Sequence, residues 1–189
     1  MMVVDIFLDV YAMIDKIYVV DDIVDKEEQE KLKSTLLSRH FPWFYLDDMT
    51  ILDGKQQRPG FSHYFVLDEK VNSNLVCLTD KIIENSCDKI NINCPPLVLA
   101  SRAFLQLPLH NNITKGDLID TPHVDREREH TVILYYVKTM DGDTIIYTDK
   151  GEKKVTPQQG RAVIFNGKLK HTATQPVKGS RCVININIV

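Results

Sequence analysis

From about residue 97 onward the chain is a succession of short apolar segments rich in β-branched residues. Leu97 to Leu107, Thr131 to Val137, Thr144 to Tyr147, Arg161 to Phe165 and Arg181 to Val189 are the predicted strands. Between them the pairs Asp141-Gly142, Lys150-Gly151, Asn166-Gly167 and Lys178-Gly179 supply turns, because glycine tolerates the backbone angles a tight reversal demands. The first half has a different period. Asp25 reads as an N-cap with Glu28 three residues later, and Leu32, Leu36 and Leu37 follow on one side, which predicts a helix from about Lys26 to Arg39. A second helix is predicted from about Asn74 to Asp88, where Leu75, Leu78, Ile82 and Ile83 recur at helical spacing behind the cap cluster Asn72, Ser73 and Asn74. Between the two helices, Phe41, Trp43, Phe44 and Tyr45 with Pro42 fit either a plug for the core or the wall of a ligand cage.

Helices followed by a strand-rich half predict a mainly β protein, a sandwich or jelly roll with N-terminal helices covering one sheet. No internal repeat and no long polar linker divides the chain, and 189 residues suit a single domain. That domain is expected to comprise a helix-rich support over about 1–95 and a jelly-roll core over about 96–189. With 43% apolar and 26% charged residues, the composition excludes collagen-like and extensively disordered classes. The longest runs without Asp, Glu, Lys or Arg, Ile90 to Ser101 and Ala103 to Thr114, are 12 residues each. A membrane-spanning helix needs about 20, so no membrane partner is expected. Asp5 and Asp9 lie among the first apolar residues with no Lys or Arg before Lys16, the reverse of a secretory leader, which predicts a cytoplasmic protein. Cys77, Cys87, Cys94 and Cys182 have no CxxC spacing and read as reduced thiols. The net charge of -3 is unevenly divided: 17 acids and 10 bases in residues 1–95, against 9 acids and 13 bases in residues 96–189. Lys150, Lys153, Lys154, Lys168, Lys170 and Lys178 are scattered as on a solvated surface, so nucleic acid is not an expected partner.

Chemistry concentrates on His123-Val124-Asp125 and on His171, 48 residues further along. Residues at i and i+2 of an extended segment point to one face, so His123 and Asp125 can reach one metal ion while Val124 turns away. With a third ligand from a distant strand, two imidazoles and a carboxylate form the facial triad of non-haem Fe(II) oxygenases, which leaves open positions for a cosubstrate and O2. An HxD pair by itself arises often by chance, and either histidine taken singly reads as a hydrogen-bonded structural residue. Ten residues beyond His171, Arg181 opens an otherwise apolar strand. Burying it requires an anion, and its guanidinium fork suits a carboxylate; on an edge strand it would instead face solvent.

In this order and spacing the chain resembles the Fe(II) and 2-oxoglutarate-dependent dioxygenases. Within them it is similar to the prolyl 4-hydroxylase-like group, which includes small single-domain members from phages and marine bacteria. The resemblance rests on Thr121-Pro122-His123-Val124-Asp125, on Leu134-Tyr135-Tyr136-Val137 followed by Asp141-Gly142-Asp143-Thr144, on Gly160-Arg161-Ala162-Val163-Ile164-Phe165 leading to His171, and on Arg181. It covers roughly residues 97–189. It implies a double-stranded β-helix in which His123, Asp125 and His171 bind Fe(II), Arg181 holds the distal carboxylate of 2-oxoglutarate, and Tyr136 shares that carboxylate. It further implies O2 as co-reactant, ascorbate as a candidate reductant, and a protein, peptide or small-molecule substrate, peptidyl proline included.

The pattern also departs from the family. Where many relatives carry a tyrosine before a turn ahead of the HxD, this chain has Leu107-Pro108, so one cosubstrate contact is missing or replaced. The segment Leu109 to Asp120 reads as a substrate loop or a plain surface loop. Demethylases of the superfamily that act on nucleic acid add an arginine beyond the cosubstrate arginine, and none follows Arg181. Two rivals remain: a cupin-like metalloenzyme on the same fold, which Arg181 disfavours, and a non-catalytic jelly-roll binding module.

Overall fold

The computed structural model describes residues 16–49, 58–108 and 118–189. The stretch around Asp5 and Asp9, and residues 109–117 of the expected substrate loop, lie outside the described residues. In chain order the elements are β1 (Tyr18–Val20), α1 (Lys26–Leu36), β2 (Phe44–Leu46), β3 (Gly60–Leu67), β4 (Lys70–Val71), a 3-10 turn (Val76–Thr79) and α2 (Asp80–Ile90). There follow β5 (Val98–Gln106), β6 (Thr131–Tyr136), β7 (Thr144–Thr148), β8 (Gly151–Val155), β9 (Ala162–Asn166), β10 (His171–Ala173) and β11 (Arg181–Ile188).

Asp25 caps α1 as its sequence predicts, its Oδ1 accepting from the Glu28 backbone N–H at 2.8 Å. The helix ends at Leu36, short of the expected Arg39, because the chain must turn to bring the aromatic cluster under it. Trp43 Nε1 donates to the Leu36 carbonyl at 3.0 Å, satisfying one acceptor that the helix end leaves open. Phe41 plugs the core at 7% exposure, whereas Phe44 and Tyr45 stand outside at 63% and 59%. At α2 the expected cap does not act on the helix: Ser73 Oγ accepts from Leu75 N in the turn that precedes it, and α2 starts at Asp80. Asn91 closes it in the left-handed region, φ 58°.

An eight-stranded antiparallel sheet has the order β1-β9-β6-β11-β5-β3-β2, with β4 paired to β3. A three-stranded sheet, β10-β7-β8, faces it, and single bridges at Ile119 to Thr174 and at His123 to His171 extend its β10 edge. This is the jelly roll expected, with one correction to the support. Residues before 96 are not only helices, since β1, β2, β3 and β4 all join the large sheet.

The centre of the large sheet explains how core and site coexist. β11 pairs with β5 on one side and β6 on the other. Because side chains alternate, Cys182, Ile184, Ile186 and Ile188 enter the core beneath α1 and α2, beside Leu32, Leu36, Ile82 and Ile83. Full burial of each such Leu or Ile contributes about 1.5–3 kcal/mol. The opposite face, carrying Arg181, Val183 and Asn185, lines a cavity between the two sheets.

Candidate metal centre and its cavity

Across the edge of the small sheet, His123 and His171 are directly opposite. His123 N donates to His171 O at 3.0 Å and His171 N to His123 O at 2.9 Å, a closed antiparallel pair that sets the two rings side by side with centroids 4.8 Å apart. Asp125 is not on a regular strand, contrary to the sequence expectation, because the ladder stops after His123. Its side chain still reaches the same side. Asp125 Oδ1 lies 3.5 Å from His123 Nε2 and 3.5 Å from His171 Nε2. The three ligand atoms all fall within 4.8 Å of one another.

Hydrogen bonds behind the rings fix what these atoms can do. His123 Nδ1 donates to Thr121 O at 3.2 Å and His171 Nδ1 to Leu169 O at 3.1 Å. A carbonyl only accepts, so each Nδ1 carries the proton and each neutral ring turns an Nε2 lone pair toward Asp125. Asp125 Oδ2 accepts from Asn185 Nδ2 at 2.9 Å, while Oδ1 is buried with no hydrogen-bond partner among the described residues. Burial opposes charge on Asp125, but His123, His171 and Asn185 together hold its carboxyl well below the usual range. Burial likewise opposes charge on His123, and the Asp125 carboxylate overrides it, raising the imidazole above its ordinary value. Three converging lone-pair donors around an orphaned carboxylate oxygen fit a cation.

Deeper in the cavity lies Arg181, 5% exposed. Its Nε donates to Gly142 O at 3.0 Å, one terminal nitrogen to Gln106 Oε1 at 2.9 Å and the other to Thr144 Oγ1 at 3.0 Å. All three acceptors are neutral, and among the described residues no carboxylate lies within 4.0 Å of the guanidinium. Each terminal nitrogen retains one N–H, the fork that a planar carboxylate accepts. Gly142 makes this approach possible. Its φ is +94°, and a Cβ there would sit 2.9 Å from Thr174 O and 3.0 Å from Arg181 Cδ.

Tyr136 packs on the same face as Val132, Leu134, Phe165 and Val183, its ring centroid 6.0 Å from Arg181 Cζ. Fully buried, it donates its hydroxyl to Thr144 Oγ1 at 2.8 Å. Thr144 does line the cavity, and its oxygen accepts from both Tyr136 and Arg181, which leaves its own O–H to donate elsewhere. Tyr136 thus stands behind Thr144. Tyr136→Phe is expected to raise the 2-oxoglutarate requirement by about 1 kcal/mol, roughly fivefold, as measured by saturation kinetics, with melting temperature checked alongside.

Gln106, next to the departure at Leu107-Pro108, occupies the wall beside Arg181. Neither Gln106, Thr144 nor Asn185 stood out as a site residue in the sequence. The signal for Asn185 was a polar residue in the alternation Arg181, Val183, Asn185, interleaved with Cys182, Ile184 and Ile186. Asp120 also lines the cavity, accepting from Arg58 Nε at 3.2 Å and from Gln175 Nε2 at 2.6 and 2.7 Å. Burial raises its carboxyl above the ordinary range, although Gln175 and Arg58 pull the other way. His130 is apart from the trio, its Nδ1 hydrogen-bonded to Arg128 O at 2.7 Å and its ring packed where a side chain on Gly167 would sit.

The jelly roll thus holds two histidines and an aspartate around one point, with a buried arginine on the same cavity wall. Residues 110–189 match the family described as the 2OG-Fe(II) oxygenase superfamily. That superfamily works with Fe(II), 2-oxoglutarate and O2. Comparison with curated proteins by sequence found no match.

Among solved structures, a 2OG-Fe(II) oxygenase family oxidoreductase from Burkholderia pseudomallei superposes with a TM-score of 0.71 at 9% identity, covering 90% of this chain and 84% of the other. A Pseudomonas putida prolyl-4-hydroxylase superposes at 0.60 with 12% identity, covering 91% of each chain. HygX from Streptomyces hygroscopicus, solved with nickel, 2-oxoglutarate and hygromycin B bound, superposes at 0.58 with 13% identity, covering 98% and 86%. At such identities the likeness is one of fold. Among the described residues no helix is long and apolar enough to cross a membrane.

Proposed function

We propose that this protein hydroxylates a C–H bond of a second substrate, with His123, Asp125 and His171 as the Fe(II) ligands and Arg181 as the anchor of 2-oxoglutarate. The observation that carries the assignment is the orphaned Asp125 Oδ1, 3.5 Å from both Nε2 atoms, beside two histidines that share a cavity with an arginine lacking an anionic partner among the described residues. Bound there, Fe(II) supplies the activation of O2: one oxygen atom enters the substrate, the other enters succinate, and the 2-oxoglutarate carboxyl next to its keto group leaves as CO2. The residues of this chain supply geometry. Asn185 aims Asp125, the Thr121 and Leu169 carbonyls hold both rings in one tautomer, and Gly142, Gln106 and Thr144 keep the guanidinium fork turned into the cavity.

A cupin-like metalloenzyme would have no use for the buried fork, and a binding module would turn nothing over. The test is conversion of 2-oxoglutarate to succinate by the purified chain without its prime substrate. Slow succinate release is expected only with Fe(II) and O2 together. Equal background rates with and without iron would favour the binding module. The substrate, whether peptidyl proline, another side chain or a small molecule, is sought as a product heavier by one oxygen atom. A single domain over residues 1–189 and a cytoplasmic location belong to the same reading.

A further inference from the structure

A second cation faces the same cavity, and nothing in the site so far employs it. Arg102 lies on β5 on the face that also carries Phe104 and Gln106, and all three line the cavity with His123 and Asn185. In the register of the large sheet Arg102 is level with Asn185 on β11 and with Tyr64 on β3, whereas Gln106 is level with Arg181. Arg102 therefore stands four residues from the Arg181 end, about 13 Å at about 3.3 Å per residue, beside the asparagine that aims Asp125.

Its guanidinium is held in place but not neutralised. It lies 4.2 Å from the Phe104 ring centroid and 5.6 Å from that of Tyr64, and one terminal nitrogen donates to the Tyr64 hydroxyl at 2.9 Å. Among the described residues no carboxylate lies within 4.0 Å of it. Nε and the other terminal nitrogen have no acceptor there. That edge offers two parallel N–H groups, the spacing of a carboxylate. A half-buried cation, stacked and tethered so that its bidentate edge is left open, is a preformed anion receptor.

We propose that the substrate carries a free carboxylate, which Arg102 binds at the end of the cavity away from Arg181. The inference rests on the oxygenase reading above and deepens it: Arg181 orients the cosubstrate at one end, and Arg102, level with the asparagine that bonds Asp125, orients the substrate at the other. A carboxylate is preferred to a phosphate because the described wall supplies only this one cation at that end, with a planar fork.

The experiment uses the full chain loaded with Zn(II) and an inert 2-oxoglutarate analogue, so that the Arg181 end is filled. Calorimetry then compares matched probes: N-acetyl amino acids against their amides, Glu-containing peptides against the same peptides with Gln, and phosphate monoesters. At least one acid is expected to bind about tenfold or more tightly than its amide. The two acid series distinguish a metabolite from an acidic side chain as the source of the carboxylate. Arg102→Gln should bring that ratio to about one, Arg102→Lys should keep part of it, and the acid-to-amide comparison on the parent needs no variant to fold.

The proposal is overturned if no acid outbinds its amide, if the ratio survives in Arg102→Gln, if phosphate monoesters bind best, or if Arg102→Gln lowers only the melting temperature. Succinate release from the same preparation is scored separately. A chain that keeps the ratio but releases no succinate sinks the oxygenase reading while leaving the carboxylate receptor standing.

Discussion

Arg181→Leu should bind Fe(II) or Mn(II) almost as the parent does, yet require 2-oxoglutarate at concentrations higher by about 30-fold to several thousand-fold. The range corresponds to about 2–5 kcal/mol, the usual loss when one partner of a buried charge-assisted pair is truncated. The effect is separable from the metal because, among the described residues, Arg181 bonds only to Gly142, Gln106 and Thr144, none of which is a ligand candidate. Arg181→Lys should be intermediate, keeping the charge and losing the fork. Leucine also leaves three buried acceptors without their donor, so the melting temperature must be read together with the kinetics. An Arg181→Leu protein with the parent's affinity for 2-oxoglutarate, measured by calorimetry, would disprove the anchor and remove the main reason for preferring an oxygenase to a cupin-like metalloprotein.

For the ligands, His123→Ala and Asp125→Ala are each expected to lower turnover more than about 100-fold, exceeding the loss usual for residues that merely support a ligand. Fold should persist, since His123 and Asp125 lie outside the cluster beneath the helices. His130 is the control. It is a buried histidine with the same bond from Nδ1 to the carbonyl two residues back, but it is absent from the trio. His130→Ala should lose stability through the space left against Gly167 and retain most activity. A dead His130→Ala beside an active His123→Ala would mean that the wrong histidine was assigned.

How much of this was legible in the chain depends on how local the signal was. Asp25 and Glu28 marked the start of α1 because a cap is written in four consecutive residues. The strands after residue 97 were legible because turns and β-branched runs alternate there. β3 was missed, although Gly60-Phe-Ser-His-Tyr-Phe-Val-Leu67 is rich in β-formers, because helices on both sides invited a helical reading of the whole first half. β8 was missed because its lysines are those of an exposed strand and carry no core pattern. His123, Asp125 and His171 could be named from spacing, and the structure brings them together. Thr144 and Gln106 could not, because their place beside Arg181 follows from pairing between segments far apart in sequence, which no local pattern encodes.

The position of β11 also orders events during synthesis. It is the strand that separates β5 from β6, yet it is made after both. Until it leaves the ribosome, β5 and β6 each present an open hydrogen-bonding edge to whatever is nearby, the condition under which strands pair wrongly. Arg181 and Asn185 arrive on that same strand, so the cavity acquires its guanidinium and the support for Asp125 only when the large sheet closes. A nascent chain stalled before residue 181 would hold all three candidate ligands and lack the Asn185 amide that bonds Asp125 Oδ2.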